Sequence, residues 1–142
     1  MQHIKDINQK LRSSGLRPTS QRVQISKILF KNKETFHFTV EYLKKKINKE
    51  FKEKISLATI YNTVHAFQKK GYIKKIPLDA NKSYYDTNVK DHHHFYDEDS
   101  QTLKDIDEDE IKIGTIPNSP VNKKIKSIEV LIRLANANQS QK

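Results

Sequence analysis

The chain has 142 residues, 27 Lys+Arg against 17 Asp+Glu, a net charge of +10 and a hydrophobic share of 35%. That length allows one domain or two small ones, and with so low an apolar share a half of about 70 residues folds only marginally, so a partner chain is expected to complete the core of the second half. The absence of cysteine excludes disulfides, thiolate zinc sites and cysteine-based catalysis or redox sensing, while Gly15, Gly71 and Gly114 lie too far apart for a phosphate-cradling loop and no apolar run approaches the ~20 residues of a membrane span.

In chain order, Ile4, Ile7 and Leu11 recur at helical spacing, with Gly15 as the stop. Thr19, after Pro18, is placed to cap a second helix carrying Val23, Ile25, Ile28 and Leu29. Thr39 caps a third, with Val40, Leu43, Ile47 and Phe51 on one face. Ser56 caps a fourth, whose buried stripe is Leu57, Ile60, Val64 and Phe67 and which Gly71 ends. Residues 72–77 and 82–87 read as two strands around the turn Asp79-Ala80-Asn81. Helices followed by a hairpin make a winged-helix arrangement. Beyond a linker at 88–91, residues 94–97 and 102–107 are short strands, the acidic run Asp107 to Glu110 starts a short helix, and 128–134 alternates like a strand. The tail from Asn136 is polar and expected to be disordered. The expected fold is therefore α+β: a DNA-binding winged helix over residues 1–88, a small α/β domain for dimerisation and effector sensing over 89–135, and a tail over 136–142.

Charge separates the two halves. Residues 1–76 hold 18 Lys+Arg and 5 Asp+Glu, a net of +13, whereas residues 77–142 hold 9 and 12, a net of −3. A basic, helical half points to a polyanion, and to DNA in particular. With the stripe of the fourth helix turned inward, Ala58, Thr59 and Asn62 face outward, Tyr61 lies at the border, and Ser56 stands at the leading end, which is the part that enters a major groove. Asn62 suits adenine, Tyr61 and Ala58 suit thymine methyls, and Thr59 suits bases or phosphates. Lys69 and Lys70, with Lys74 and Lys75 in the wing, are placed to neutralise phosphates. Arg17 is an arm for a narrow minor groove, with Thr19 and Arg22 beside it. The plainer alternative is a solvated surface of ordinary polar side chains.

The second chemical feature is His92-His93-His94, near Asp86 and ahead of an acidic stretch. On a strand, His92 and His94 point one way and His93 the other, so one ion does not take all three. Imidazole suits iron, zinc, manganese and haem. His37 is a fourth candidate, and exposed loop histidines are the alternative. His3 and His65 read as surface residues. Two histidines and a carboxylate also occur in iron oxygenases, but so short a chain has no run of strands for that barrel, and no enzyme is expected.

Several of these stretches resemble the ferric uptake regulator family: residues 15–22 (GLRPTSQR), 37–43 (HFTVEYL) and the fourth helix at 55–64 (ISLATIYNTV). Residues 82–88 (KSYYDTN) with 92–96 (HHHFY) look like the iron response regulator branch. The resemblance covers about residues 10–134. It implies a cytoplasmic homodimer that binds A·T-rich promoter repeats. It also implies a hinge metal site at His37, Asp86, His93 and Asp105, occupied by a divalent ion such as zinc, manganese or iron. A second family site is incomplete, because its distant histidine falls near Ile128, and the cysteine pairs of zinc-stabilised members are missing, with Glu98 and Gln101 nearby instead. From the branch comes the expectation of a haem-switched regulator with His92, His93 and His94 as haem ligands; a repressor activated by Fe²⁺ or Mn²⁺ is the alternative.

Overall fold

The computed structural model describes residues 2–31, 34–51, 54–78 and 83–138, and the chain forms two compact units, residues 1–89 and 90–142. The turn at 79–81 and the last four residues of the tail lie outside the described residues.

The first unit is a winged helix. Helix α1 (Gln2–Ser13) buries Ile7 and Leu11 and ends where Gly15 takes a φ of +81°, letting Leu16 N–H donate back to the Leu11 carbonyl at 2.8 Å. Helix α2 (Ser20–Phe30) starts at the Thr19 cap, whose Oγ1 accepts from Arg22 N–H at 3.2 Å. Thr19→Ala should lower stability by about 1 kcal/mol, read as a fall in the midpoint of thermal unfolding. Its buried apolar side chains are Ile25 and Leu29, while Val23 and Ile28 are only partly buried against the core.

Strand β1 (His37–Phe38) was not foreseen from sequence; a two-residue strand has no periodicity to read. It leads through Thr39 into helix α3 (Val40–Phe51), which buries Val40, Leu43 and Ile47. Helix α4 (Leu57–Lys70) follows, capped by Ser56 Oγ on Thr59 N–H at 3.2 Å and closed by Gly71 at φ +91°. Ile60, Val64 and Phe67 are buried, but Leu57, expected on the same stripe, is 38% exposed: it is the first helical residue and projects past the end of the core. Phe67 is packed edge-on by Phe30 at 5.2 Å and Tyr72 at 6.1 Å between ring centroids. The wing is a three-stranded sheet in the order β1-β3-β2, with β2 (Lys74–Ile76) and β3 (Tyr84–Asp86) antiparallel and β1 antiparallel to β3.

The second unit is β-rich. Strands β4 (His93–Asp97) and β5 (Thr102–Ile106) form a hairpin, and β6 (Leu131–Leu134) lies parallel to β4 on its other side. A parallel neighbour needs a long crossover, supplied here by residues 107–130. The helix expected at the acidic run is only a 3-10 turn, Glu108–Glu110. The hairpin tip is held without cysteine: Asp97 Oδ1 accepts from Asp99 and Ser100 N–H at 2.9 and 3.2 Å, and Asp99 Oδ2 accepts from Asn136 N–H at 2.8 Å. The Ser100 and Asp99 amide bonds hold the half-buried Asp97 carboxyl below its ordinary range.

Candidate functional site

In the first unit the β1–β3 ladder sets His37 directly opposite Asp86. His37 Nε2 lies 3.3 Å from Asp86 Oδ2, and the carboxylate is 1% exposed. Its other oxygen accepts from Asn88 N–H at 2.8 Å, which fixes the plane of the group. Thr87 and Phe36 prolong the ladder by one rung, with Thr87 Oγ1 accepting from Phe36 N–H at 3.0 Å. A carboxylate this deeply buried requires paired partners, and the wing supplies His37 and the Asn88 N–H; Lys74 of β2 stands in register with Asp86.

In the second unit the β4–β5 hairpin places His94 opposite Asp105. Asp105 Oδ1 lies 3.3 Å from His92 Nε2 and 3.4 Å from His94 Nε2, with the two rings 4.4 Å apart. The three ligand atoms all lie within 4.8 Å of one another. His92 Nδ1 meets the Lys90 carbonyl at 2.6 Å. A carbonyl only accepts, so Nδ1 carries the proton and the Nε2 lone pair turns to Asp105. A lone pair and a carboxylate oxygen facing each other at that distance need positive charge between them, supplied by a proton or a metal ion. For bond lengths of about 2.0–2.2 Å, neighbouring ligand atoms on one ion are about 2.9–3.5 Å apart. The three separations of 3.3, 3.3 and 3.4 Å fall in that range. Imidazole and carboxylate donors without sulfur suit Fe²⁺, Mn²⁺ and Zn²⁺.

His93 faces the other way, and its Nδ1 accepts from Val130 N–H at 2.9 Å. A neutral imidazole accepting there carries its proton on Nε2, so neither nitrogen offers a lone pair to an ion. The structure thus gathers His92 and His94, not His93, around Asp105. Strand alternation in the sequence already separated His93 from its neighbours; the register that brings Asp105 to them was not readable.

The expected DNA-facing side chains are distributed as follows. On α4, Ala58, Asn62, Lys69 and Lys70 are exposed, and Tyr61 is 40% exposed. Ser56 and Thr59 are engaged with each other, their hydroxyls 3.0 Å apart at the cap. Arg17 is exposed; Arg22 is tied back to it, Nη1 donating to the Arg17 carbonyl at 2.9 Å, and Thr19 serves as the cap of α2. His65, set aside from sequence as a surface residue, lines a notch of about 250 Å³ with Ser14, Asn62, Ala66 and Lys69. His65 is exposed, as its reading as a surface residue expected.

A profile of the ferric uptake regulator family matches residues 13–133. This chain belongs to the ferric uptake regulator family. The ferric uptake regulation protein of Vibrio cholerae is 31% identical over 90 residues, covering 63% of this chain and 59% of that one. The peroxide-responsive repressor PerR of Staphylococcus saprophyticus is 32% identical over 91 residues, covering 64% and 60%. The chain therefore aligns with only about three fifths of the length of these curated relatives. Among solved structures, the ferric uptake regulator of Pseudomonas aeruginosa with manganese superposes with a TM-score of 0.67 at 18% identity, over 92% of this chain and 98% of that one. A zinc-bound manganese uptake regulator does so with a TM-score of 0.60 at 22% identity, also over 92% and 98%. These likenesses establish the two-part family fold. The family is one of regulators, in agreement with the reading of the chain as no enzyme.

Membership corrects one expectation. The relatives bear the names of iron- and peroxide-responsive regulators, and none indicates the iron response regulator branch. The histidines that were to hold haem are otherwise committed: His92 and His94 converge on a carboxylate in a divalent-ion arrangement, and His93 accepts a backbone N–H. A haem-switched regulator with His92, His93 and His94 as ligands is set aside.

Proposed function

We propose that this protein is a metal-responsive DNA-binding repressor of the ferric uptake regulator type, with a divalent ion as effector. The observation that carries the reading is the pair of donor sets, His37 with Asp86 and His92 with His94 and Asp105, each held at ligand-to-ligand distance. The set in unit 2 offers three ligands, the number a metal ion keeps where a further position is left to water. A divalent ion held by donors of this kind would make DNA affinity depend on metal. His93, given to this site from sequence, is not among these donors.

DNA recognition is assigned to α4, with Tyr61 and Asn62 at base edges, Ala58 beside a thymine methyl, and Lys69 and Lys70 on phosphates. Ser56 and Thr59 cap the helix next to the duplex, and Arg17, steadied by Arg22 and the Thr19 cap, reaches the flanking groove. A homodimer is supported by unit 2, where Ile113, Ile116, Val121, Ile125, Ile128, Ile132 and Leu134 are exposed, apolar side chains of the kind a second copy would cover. In this reading residues 1–88 bind DNA, residues 89–135 dimerise and sense the effector, and the protein works in the cytoplasm beside its operator.

The test is a fluorescence anisotropy titration of a duplex selected from a random pool, run with Mn²⁺ and with chelator. Affinity should fall at least ~5-fold in chelator, the lower end of ordinary coupling between two sites. Equal or tighter binding in chelator would exclude a metal-activated repressor.

A further inference from the structure

Residues 37 and 38 on β1 pair with residues 86 and 85 on β3, so the proposed ligands and the next rung of the ladder are covalent neighbours. Side chains alternate along a strand. His37 and Asp86 occupy one face, and Phe38 and Tyr85 occupy the other, stacked with ring centroids 5.6 Å apart at 24°. Both aromatic rings are buried in the core that also contains Ile60 and Val64 from the inner stripe of α4. Phe38 is followed by Thr39, which opens α3 by accepting Tyr42 N–H on its Oγ1 at 3.1 Å and Leu43 N–H on its carbonyl at 3.0 Å. Helix α3 in turn packs on α4. Tyr85 also stands in register with Lys75 of the wing.

We propose that Tyr85 is a positioning residue that passes the state of the His37–Asp86 pair to the reading helix, through its stack on Phe38. The proposal rests on the reading of that pair as metal ligands. An ion joined to His37 and Asp86 clamps β1 to β3 at the rung next to the stack. The clamped stack fixes the entry of α3 and the seat of α4, whose outer face carries Tyr61. At this rung the histidine–carboxylate contact measures 3.3 Å.

The experiment compares the full-length protein with its Tyr85→Leu and Tyr85→Phe variants. Three quantities are read: Zn²⁺ affinity by competition with a chromophoric chelator, the ratio of duplex affinity with Zn²⁺ to that in chelator, and the ring signals of ¹³C-labelled Tyr61 on adding Zn²⁺. Tyr85→Leu should keep Zn²⁺ affinity within about threefold while the duplex ratio falls to within about twofold of one, from the ~5-fold or more expected of the wild type. The Tyr61 signals should stop responding to Zn²⁺, and Tyr85→Phe, which keeps the ring, should restore both responses. A purely structural role would weaken duplex binding equally with and without Zn²⁺ and leave the ratio unchanged; that result overturns the proposal and leaves the metal-responsive function standing. A loss of Zn²⁺ affinity beyond tenfold also overturns it, by making Tyr85 part of the site's scaffold. A wild-type ratio of one removes the functional reading and this proposal with it. If Tyr85→Leu fails to fold, Phe38→Leu opens the stack from the other side and is judged by the same ratio.

Discussion

Alanine at both His92 and His94 is expected to lower divalent-ion affinity at least ~100-fold, or about 2.7 kcal/mol. The two imidazoles are the nitrogen donors that meet Asp105 Oδ1, at 3.3 and 3.4 Å, and both contacts go with them. The stabilisation conferred by metal should vanish as well. At a metal concentration a hundred times the dissociation constant, the wild type gains about 2.7 kcal/mol against unfolding, visible as a raised thermal midpoint that the double variant lacks. His93→Ala is the internal control. It removes the acceptor of Val130 N–H, worth about 1 kcal/mol of stability, and should leave metal affinity within a few-fold. Competition with a chromophoric chelator decides the matter. Equal losses from His93→Ala and His92→Ala would mean that the ion sits elsewhere than at Asp105.

Joint replacement of Tyr61 and Asn62 by alanine should cost about 2–6 kcal/mol of discrimination between the selected duplex and a scrambled one, since each good base-edge contact contributes about 1–3 kcal/mol. Tyr61 is 40% exposed and Asn62 lies on the same outer face, so the core of Ile60, Val64 and Phe67 is untouched and the fold should survive. Lys69→Ala differs in kind. It should weaken every duplex alike and reduce the slope of log affinity against log salt by about one. Anisotropy titrations at several salt concentrations separate the two behaviours. If the double variant kept its preference for the selected duplex, α4 would not be the reading element.

The helices of unit 1 were legible because their signals are local. Thr19 and Ser56 cap where their spacing to the next apolar residue placed them, and Gly15 and Gly71 end helices in the left-handed conformation. The hairpin of the wing was legible for the same reason. Strand β1 was not, because two residues carry no period, and Leu57 was misassigned because helical phase cannot say where the core stops. In unit 2 the acidic run held only a single 3-10 turn, for Glu108–Glu110 has neither the length nor an apolar face to extend a helix against the sheet.

For the site, the chain alone determined the chemistry on offer: imidazoles and carboxylates without thiolates, a basic half with a polar-faced helix, and the opposite facing of His93 to its neighbours. Which of these groups meet was decided by strand register. The pairs His37 with Asp86 and His94 with Asp105 join residues far apart in number, and a shift of one position would have brought His93 to the carboxylate and turned His92 and His94 away. Register is set by long-range backbone hydrogen bonds and by the burial of one whole face of a sheet, and neither is written in the spacing of the histidines themselves.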